Sequence, residues 1–210
     1  MTDRDEILNR LKAQERDATH PPAWRSRRHF DDLAERFSTS LTASGGQVHR
    51  AGSLDAALAQ LDALLPELAA RQVAVNHEPP FDQLDLPGRW PNVDLYLAGQ
   101  SGGDLTLFCA SADVGLSGAS AALAETGTIV LHNGPGSSRL VTLLPPIHIA
   151  LVATSQLTTD IFTWTAARDG QIPASLTLVS GPSKTADIEQ VLAIGVHGPK
   201  RLIVFLYDDD

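Results

Sequence analysis

Apolar residues recur along this chain with two different periods, and the periods divide it into elements. Phe30, Leu33, Phe37 and Leu41 stand at helical spacing and predict a helix over about 31–42. Residues 53–65 repeat that spacing through Leu54, Leu58, Leu61 and Leu65, a second amphipathic helix. Short apolar runs at 72–76, 147–153, 175–179 and 202–206 predict buried strands. Residues 93–97 read as a short strand or a sheet edge, and Val48 gives only a weak strand signal. Residues 105–110 and 113–116 read as extended. Thr158 or Thr159 would cap a helix running to Arg168, with Gly170 as its stop. Helices alternating with buried strands imply an α/β protein.

Breakers place the loops. Residues 2–17 are charged, with Ile7, Leu8 and Leu11 as an apolar patch, and predict a short surface helix ended by His20-Pro21-Pro22. Residues 77–91 hold four prolines and form a loop that packs down through Phe81, Leu84 and Leu86. Thr126-Gly127 is a turn-former between extended runs, so a hairpin is expected there. Asn133-Gly134-Pro135-Gly136-Ser137-Ser138 is a Gly/Ser loop ending at Arg139, suited either to covering a ligand or to plain connection. The chain thus divides into a helical arm, 1–45, and an α/β domain, 46–210.

Composition narrows the partners. A net charge of −9 over 210 residues disfavours nonspecific binding to nucleic acid or an anionic membrane. Trp24-Arg25-Ser26-Arg27-Arg28-His29 is the one basic cluster: a solvated face, or a docking segment for an acidic partner with Trp24 as anchor. The Asp208-Asp209-Asp210 tail reads as solubilising. The single cysteine, Cys109, lies in an apolar run and reads as a small buried hydrophobe; alone it supports neither an intrachain disulfide nor an iron–sulfur cluster. No segment resembles a signal peptide and no apolar run reaches membrane-spanning length, so a cytoplasmic protein is expected.

The most polar stretch between two strands is Ser180-Gly181-Pro182-Ser183-Lys184-Thr185-Ala186-Asp187-Ile188-Glu189. Ile188, Val191 and Leu192 are spaced as a helix that Gly195 stops, which would put this loop at a strand's carboxyl end and a helix's amino end. Two readings follow. Ser183, Lys184, Thr185 and free N–H groups could hold a phosphate or carboxylate. Alternatively Thr185 caps the helix while Asp187 and Glu189 complement its dipole and repel an incoming anion. The loop lacks P-loop spacing, no Gly-x-Gly-x-x-Gly fingerprint is present, and the scattered histidines have no zinc-site spacing, so no metal or dinucleotide is expected.

Three pieces in order resemble the LUD-domain family, and within it the lactate-utilization protein C group. They are Ala124-Glu125-Thr126-Gly127-Thr128, Leu144-Pro145-Pro146-Ile147-His148-Ile149-Ala150, and the 180–189 stretch followed by Gly195-Val196-His197-Gly198-Pro199. The resemblance covers about 105–205. It implies a three-layer α/β/α sandwich of the kind shared by ribose-phosphate isomerases, glucosamine-phosphate deaminases and CoA-transferases. It further implies a part in oxidising L-lactate to pyruvate with partner proteins that carry iron–sulfur clusters, this chain carrying none.

The motifs fall on Glu125, Thr126, Gly127, Thr128, His148, Ser180, Gly181, Ser183, Lys184, Thr185 and His197. Glu125 becomes a general base or nucleophile if burial raises its pKa, and otherwise serves backbone N–H groups. His148 and His197 are each an acid/base group or a hydrogen-bonded structural residue. Arg139 suits a substrate carboxylate through its planar fork, and Asn133 stands beside it in the same loop. An accessory or substrate-handling subunit of a lactate-oxidising system is the leading expectation. The alternatives are a free-standing isomerase or transferase acting on a small phosphorylated or carboxylated metabolite, and a ligand-binding regulator.

Overall fold

The computed structural model describes residues 3–13, 24, 26–168, 173, 175–186 and 192–209. Its centre is a six-stranded sheet in which every pairing is parallel. The strands are β1 (Gln47–Ala51), β2 (Gln72–Val75), β3 (Asp94–Leu97), β4 (Val114–Ser117), β7 (Ile147–Ala153) and β12 (Arg201–Tyr207), in the spatial order β1-β12-β7-β4-β2-β3. A parallel sheet covered on both faces needs strands that are apolar throughout rather than alternating. β7 and β12 meet that demand: each is buried at every residue after its first.

One face carries α3 (Leu54–Glu67) and the short α4 (Leu86–Arg89). Leu58, Leu61 and Leu65 of α3 meet Val73, Leu116, Ile149 and Phe205 of the sheet, and Phe81 and Leu86 of the proline-rich connection join them. The other face is shared by α2 (Leu33–Ala43), α5 (Leu105–Ser111), α6 (Arg139–Leu143) and a four-stranded sheet. That sheet consists of β5 (Ala121–Leu123), β6 (Thr128–His132), β8 (Leu157–Thr158) and β9 (Leu176–Val179), ordered β8-β5-β6-β9. Phe37 and Leu41 of α2 pack with Ile129, Leu131, Ala150 and Val204. Both α2 side chains are fully buried, which stabilises by about 1.5–3 kcal/mol each. The architecture is therefore the expected α/β arrangement, a parallel sheet flanked by helices, with a small sheet sharing one outer layer.

The helix starts follow local chemistry. Asp32 and Ser53 each accept a backbone N–H of the first turn, at 2.9 and 3.1 Å, and open α2 and α3. Residues 105–110, expected to be extended, form α5, because Asp104 caps Thr106 and Leu107 and the spacing of Leu105, Phe108, Cys109 and Ala112 presents one apolar face. The helix expected after Thr158 or Thr159 is α7 (Ile161–Ala167), and its cap is Asp160, since Leu157 and Thr158 are drawn into pairing with β5. α1 (Asp3–Ala13) matches the described part of the expected surface helix.

Two further expectations change. The helix after the 180–185 loop is not what the described residues form: β10 (Lys184–Ala186) and β11 (Leu192–Ile194) pair antiparallel, Lys184 opposite Ile194, while 187–191 lie outside the described residues. Leu192, Ile194 and Val196 also alternate with period two, and three apolar residues at helical spacing are too few to outweigh that pairing. Thr185 is accordingly a strand residue and not a helix cap. The carboxyl tail is not merely solubilising: Asp208 N–H donates to Ala51 O, and the Asp209 carboxylate accepts from Ser155 N–H and from the hydroxyls of Thr154 and Ser155. Among the described residues no helix is long and apolar enough to cross a membrane.

Candidate functional site

The order of the sheet picks out one place. From β2 the chain moves outward to β3, while from β4 it moves the other way to β7 and β12. The connection leaving β2 packs with the α3 layer through Phe81 and Leu86, and the one leaving β4 packs with the α2 layer through Ala122 and Ala124. Open parallel sheets bind ligands at such a switch point, outside the strands' carboxyl ends. Here those ends are Asn76-His77-Glu78 after β2 and Ser117, the last residue of β4, with Gly118 behind it.

Asn76 is buried and organises the place. Its amide Nδ2 donates to Glu78 Oε1 and to Ser137 Oγ, each at 3.4 Å, and its Oδ1 accepts Ser138 N–H at 2.9 Å. Glu78 Oε1 also accepts Gly118 N–H at 3.1 Å. His77 N–H reaches Gly136 O at 2.8 Å, and Ser137 Oγ donates to His132 O. The 133–138 loop is thereby tied down on the switch point, with Asn133 N–H donating to Ser175 O at its start and Ser138 capping α6 at its end. Arg139, the first residue of α6, is exposed, and its guanidinium has no carboxylate partner among the described residues.

His148 lies on β7 beneath this layer, fully buried. Its Nε2 is 2.8 Å from Ser117 Oγ, which stands 2.9 Å from Gly118 O. A hydroxyl has one proton, and given to Gly118 O it leaves Ser117 Oγ to accept from His148 Nε2–H. Burial pushes the imidazole pKa down to about 3, so it is neutral at physiological pH. β4 admits α6 this closely because Gly115 has no side chain: a Cβ there would overlap Val141 O.

The other motif residues gather elsewhere, around α2. Glu125 O accepts from Arg36 Nη2 at 3.2 Å and from Ser40 Oγ at 3.1 Å, and its carboxylate pairs with Arg28 at 2.9 Å. Gly127 (φ +63°) turns the β5–β6 hairpin directly against α2, where a Cβ would overlap Leu41 N. Thr126, Thr128 and Ser180 form a hydroxyl chain with O···O separations of 2.6 and 2.7 Å. Gly181 rests on Ser44 O, and Lys184 Nζ donates to that carbonyl at 2.6 Å, adding a donor beyond the Ser44, Gly45 and Gly46 N–H groups that already close the end of α2 on Ser40, Leu41 and Thr42. Ser183 exchanges backbone hydrogen bonds with Pro199 and Gly195, Thr185 pairs with Ala193, and His197 is exposed.

The basic segment ahead of α2 closes over the same region. Arg28 holds Glu125, and Trp24 meets Phe162 of α7 edge-on at 4.4 Å. Burial pushes the Asp160 carboxyl up, but hydrogen bonds from Ser26 and Thr163 and the charge of Arg28 outweigh it and hold the group below its usual range. A groove of about 330 Å³ beside Ser26 and Phe162 lies at this segment, away from the switch point. Cys109 is fully buried and its thiol is pushed up to about 11, which suppresses the thiolate as its apolar surroundings imply.

Sequence reasoning thus found Asn133, Arg139 and His148 near the switch point but missed Asn76, Glu78, Ser117 and Gly118. Polar residues directly after the apolar runs 73–75 and 114–116 are a visible signal. Knowing that those two runs are neighbours requires the strand order.

Comparison with known proteins agrees with this fold. The family model described as the LUD domain matches residues 34–207. Lactate utilization protein C of Halalkalibacterium halodurans is 35% identical over 156 residues, 71% of this chain and 68% of that protein. Lactate utilization protein C of a Geobacillus species is 29% identical across 97% of this chain and 93% of its own length. The crystal structure of a DUF162 family protein from Deinococcus radiodurans superposes with a TM-score of 0.58 at 23% identity, covering 83% of this chain and 96% of that one. The chain belongs to the LUD domain family.

Proposed function

We propose that this protein works in lactate utilization, as the subunit without iron–sulfur clusters in a system that oxidises L-lactate to pyruvate. The observation that carries the reading is similarity along nearly the whole length of a protein named for lactate utilization, lactate utilization protein C of a Geobacillus species. A chain with one cysteine cannot by itself ligate an ordinary four-cysteine cluster, so electrons from lactate would pass to cluster-bearing partner proteins. Its task is to handle substrate or to complete the oxidising complex.

The test is genetic and biochemical together. Removing the gene from its host should abolish growth on L-lactate, and the intact chain should restore it. A tagged chain recovered from lactate-grown cells should bring down proteins with the visible absorbance of iron–sulfur clusters. Unimpaired growth on L-lactate without the gene would overturn the reading.

A further inference from the structure

We propose that the switch point between β2 and β4 is a binding site for a small hydroxycarboxylate, with Arg139 taking the carboxylate and Glu78 accepting a hydrogen bond from the hydroxyl. Asn76 bonds Glu78 through its amide Nδ2 and the backbone just ahead of Arg139 through its Oδ1. The site deepens the lactate reading above, since lactate is one member of the class, but the class follows from the chemistry of the residues themselves.

Glu78 is half-buried, and only one of its oxygens is committed. Oε1 accepts from Gly118 N–H and Asn76 Nδ2, which fixes the carboxylate plane, while Oε2 has no hydrogen-bond partner among the described residues. A carboxylate oriented through one oxygen and open at the other is a preorganised acceptor for an O–H donor. Arg139 is the complementary group. Asn76 Oδ1 holds the N–H of Ser138, immediately before Arg139, so one buried amide ties the backbone from which Arg139 projects to the Glu78 carboxylate. An arginine fork with no carboxylate of its own is suited to a planar anion.

The same arrangement sorts anions. Glu78 repels any anion bound beside it, and because a dianion doubles both this repulsion and the attraction to Arg139, it is the group beside the anion that decides. A hydroxyl next to the carboxylate turns part of that repulsion into a charge-assisted hydrogen bond. The favoured ligand is therefore a carboxylate with an adjacent O–H group. Glu78 as a mere tie between two loops accounts for Oε1 and leaves Oε2 and Arg139 without a role.

Titration calorimetry on the full chain tests this, with L-lactate, glycolate, propionate and ribose 5-phosphate as ligands. Arg139→Ala and Glu78→Gln are compared with Arg50→Ala, a cation on β1 away from the switch point. Hydroxy acids should bind the parent at least tenfold tighter than propionate. Arg139→Ala should weaken them tenfold or more and Arg50→Ala should not. Glu78→Gln retains an oxygen for Gly118 N–H, and it should remove the preference for the hydroxyl while propionate binding holds or rises. Binding that neither variant changes would overturn the site, as would equal affinity for propionate, ribose 5-phosphate as the one ligand held by Arg139, or no binding at all. Glycolate bound without lactate would sink the lactate reading and leave the site standing. A gene required for growth on lactate whose product binds no hydroxy acid would do the reverse.

Discussion

Two polar regions of this protein are built from similar residues and end in opposite states. Around α2, the 125–128 turn and the 180–184 loop spend their polar groups on the protein itself: Glu125 O on Arg36 and Ser40, the Glu125 carboxylate on Arg28, Lys184 on Ser44. At the carboxyl ends of β2 and β4, Asn76 is equally committed, yet Glu78 Oε2 and the Arg139 guanidinium are left without partners among the described residues. The difference lies in what each region faces. The first lies against the end of α2, where the Ser44 carbonyl takes its donor from Lys184. The second lies where two connections part to opposite faces of the sheet. Residues that look functional in a motif can therefore act as a clamp, while less conspicuous ones carry the open valences.

The strongest test of that contrast is Gly127→Ala. A side chain there overlaps the α2 backbone at a φ that L-residues rarely adopt, so a loss of about 3 kcal/mol or more is expected. In a chain of this length that lowers the thermal midpoint by roughly 6–12 °C. A midpoint unchanged within about 2 °C would show that the turn does not clamp α2.

Acidification should produce the next largest effect, and it reports on the other region. The folded-state pKa of His148 is lowered to about 3 from 6.5, so below pH 6.5 the unfolded chain takes up a proton that the native state refuses. The stability this neutral imidazole contributes is fully present above pH 6.5 and is lost as pH falls towards 3, at up to about 1.4 kcal/mol per pH unit. Denaturant midpoints at pH 7.5, 6 and 5 should fall more steeply for the parent than for His148→Gln. Identical slopes would mean that His148 is not held neutral.

Lys184→Met should cost less, about 0.5–1 kcal/mol, because it removes one charge-assisted bond to the end of α2. The smallest effect is expected at Arg28→Ala. Its ion pair with Glu125 is half-exposed, so about 0.5 kcal/mol at low salt should shrink further as salt is added. A larger loss would promote the basic segment from a cover to a structural part of the clamp.

The sequence alone determined the elements with strong periodicity: α2 and α3, the strands β2, β7 and β12, and the β5–β6 hairpin with its glycine turn. In each, burial pattern and local chemistry point the same way, so no neighbour was needed to decide. The family motifs were equally legible, as residues. Where local signals were short or divided, tertiary structure decided. Asp104 turned 105–111 into a helix, pairing with β5 moved the α7 cap to Asp160, and pairing with β11 made Lys184–Ala186 a strand. The candidate site belongs to the same class. Residues 76–78, 117–118 and 138–139 are far apart in the chain, and what joins them is strand order, set by which apolar faces pack together and not by any local preference.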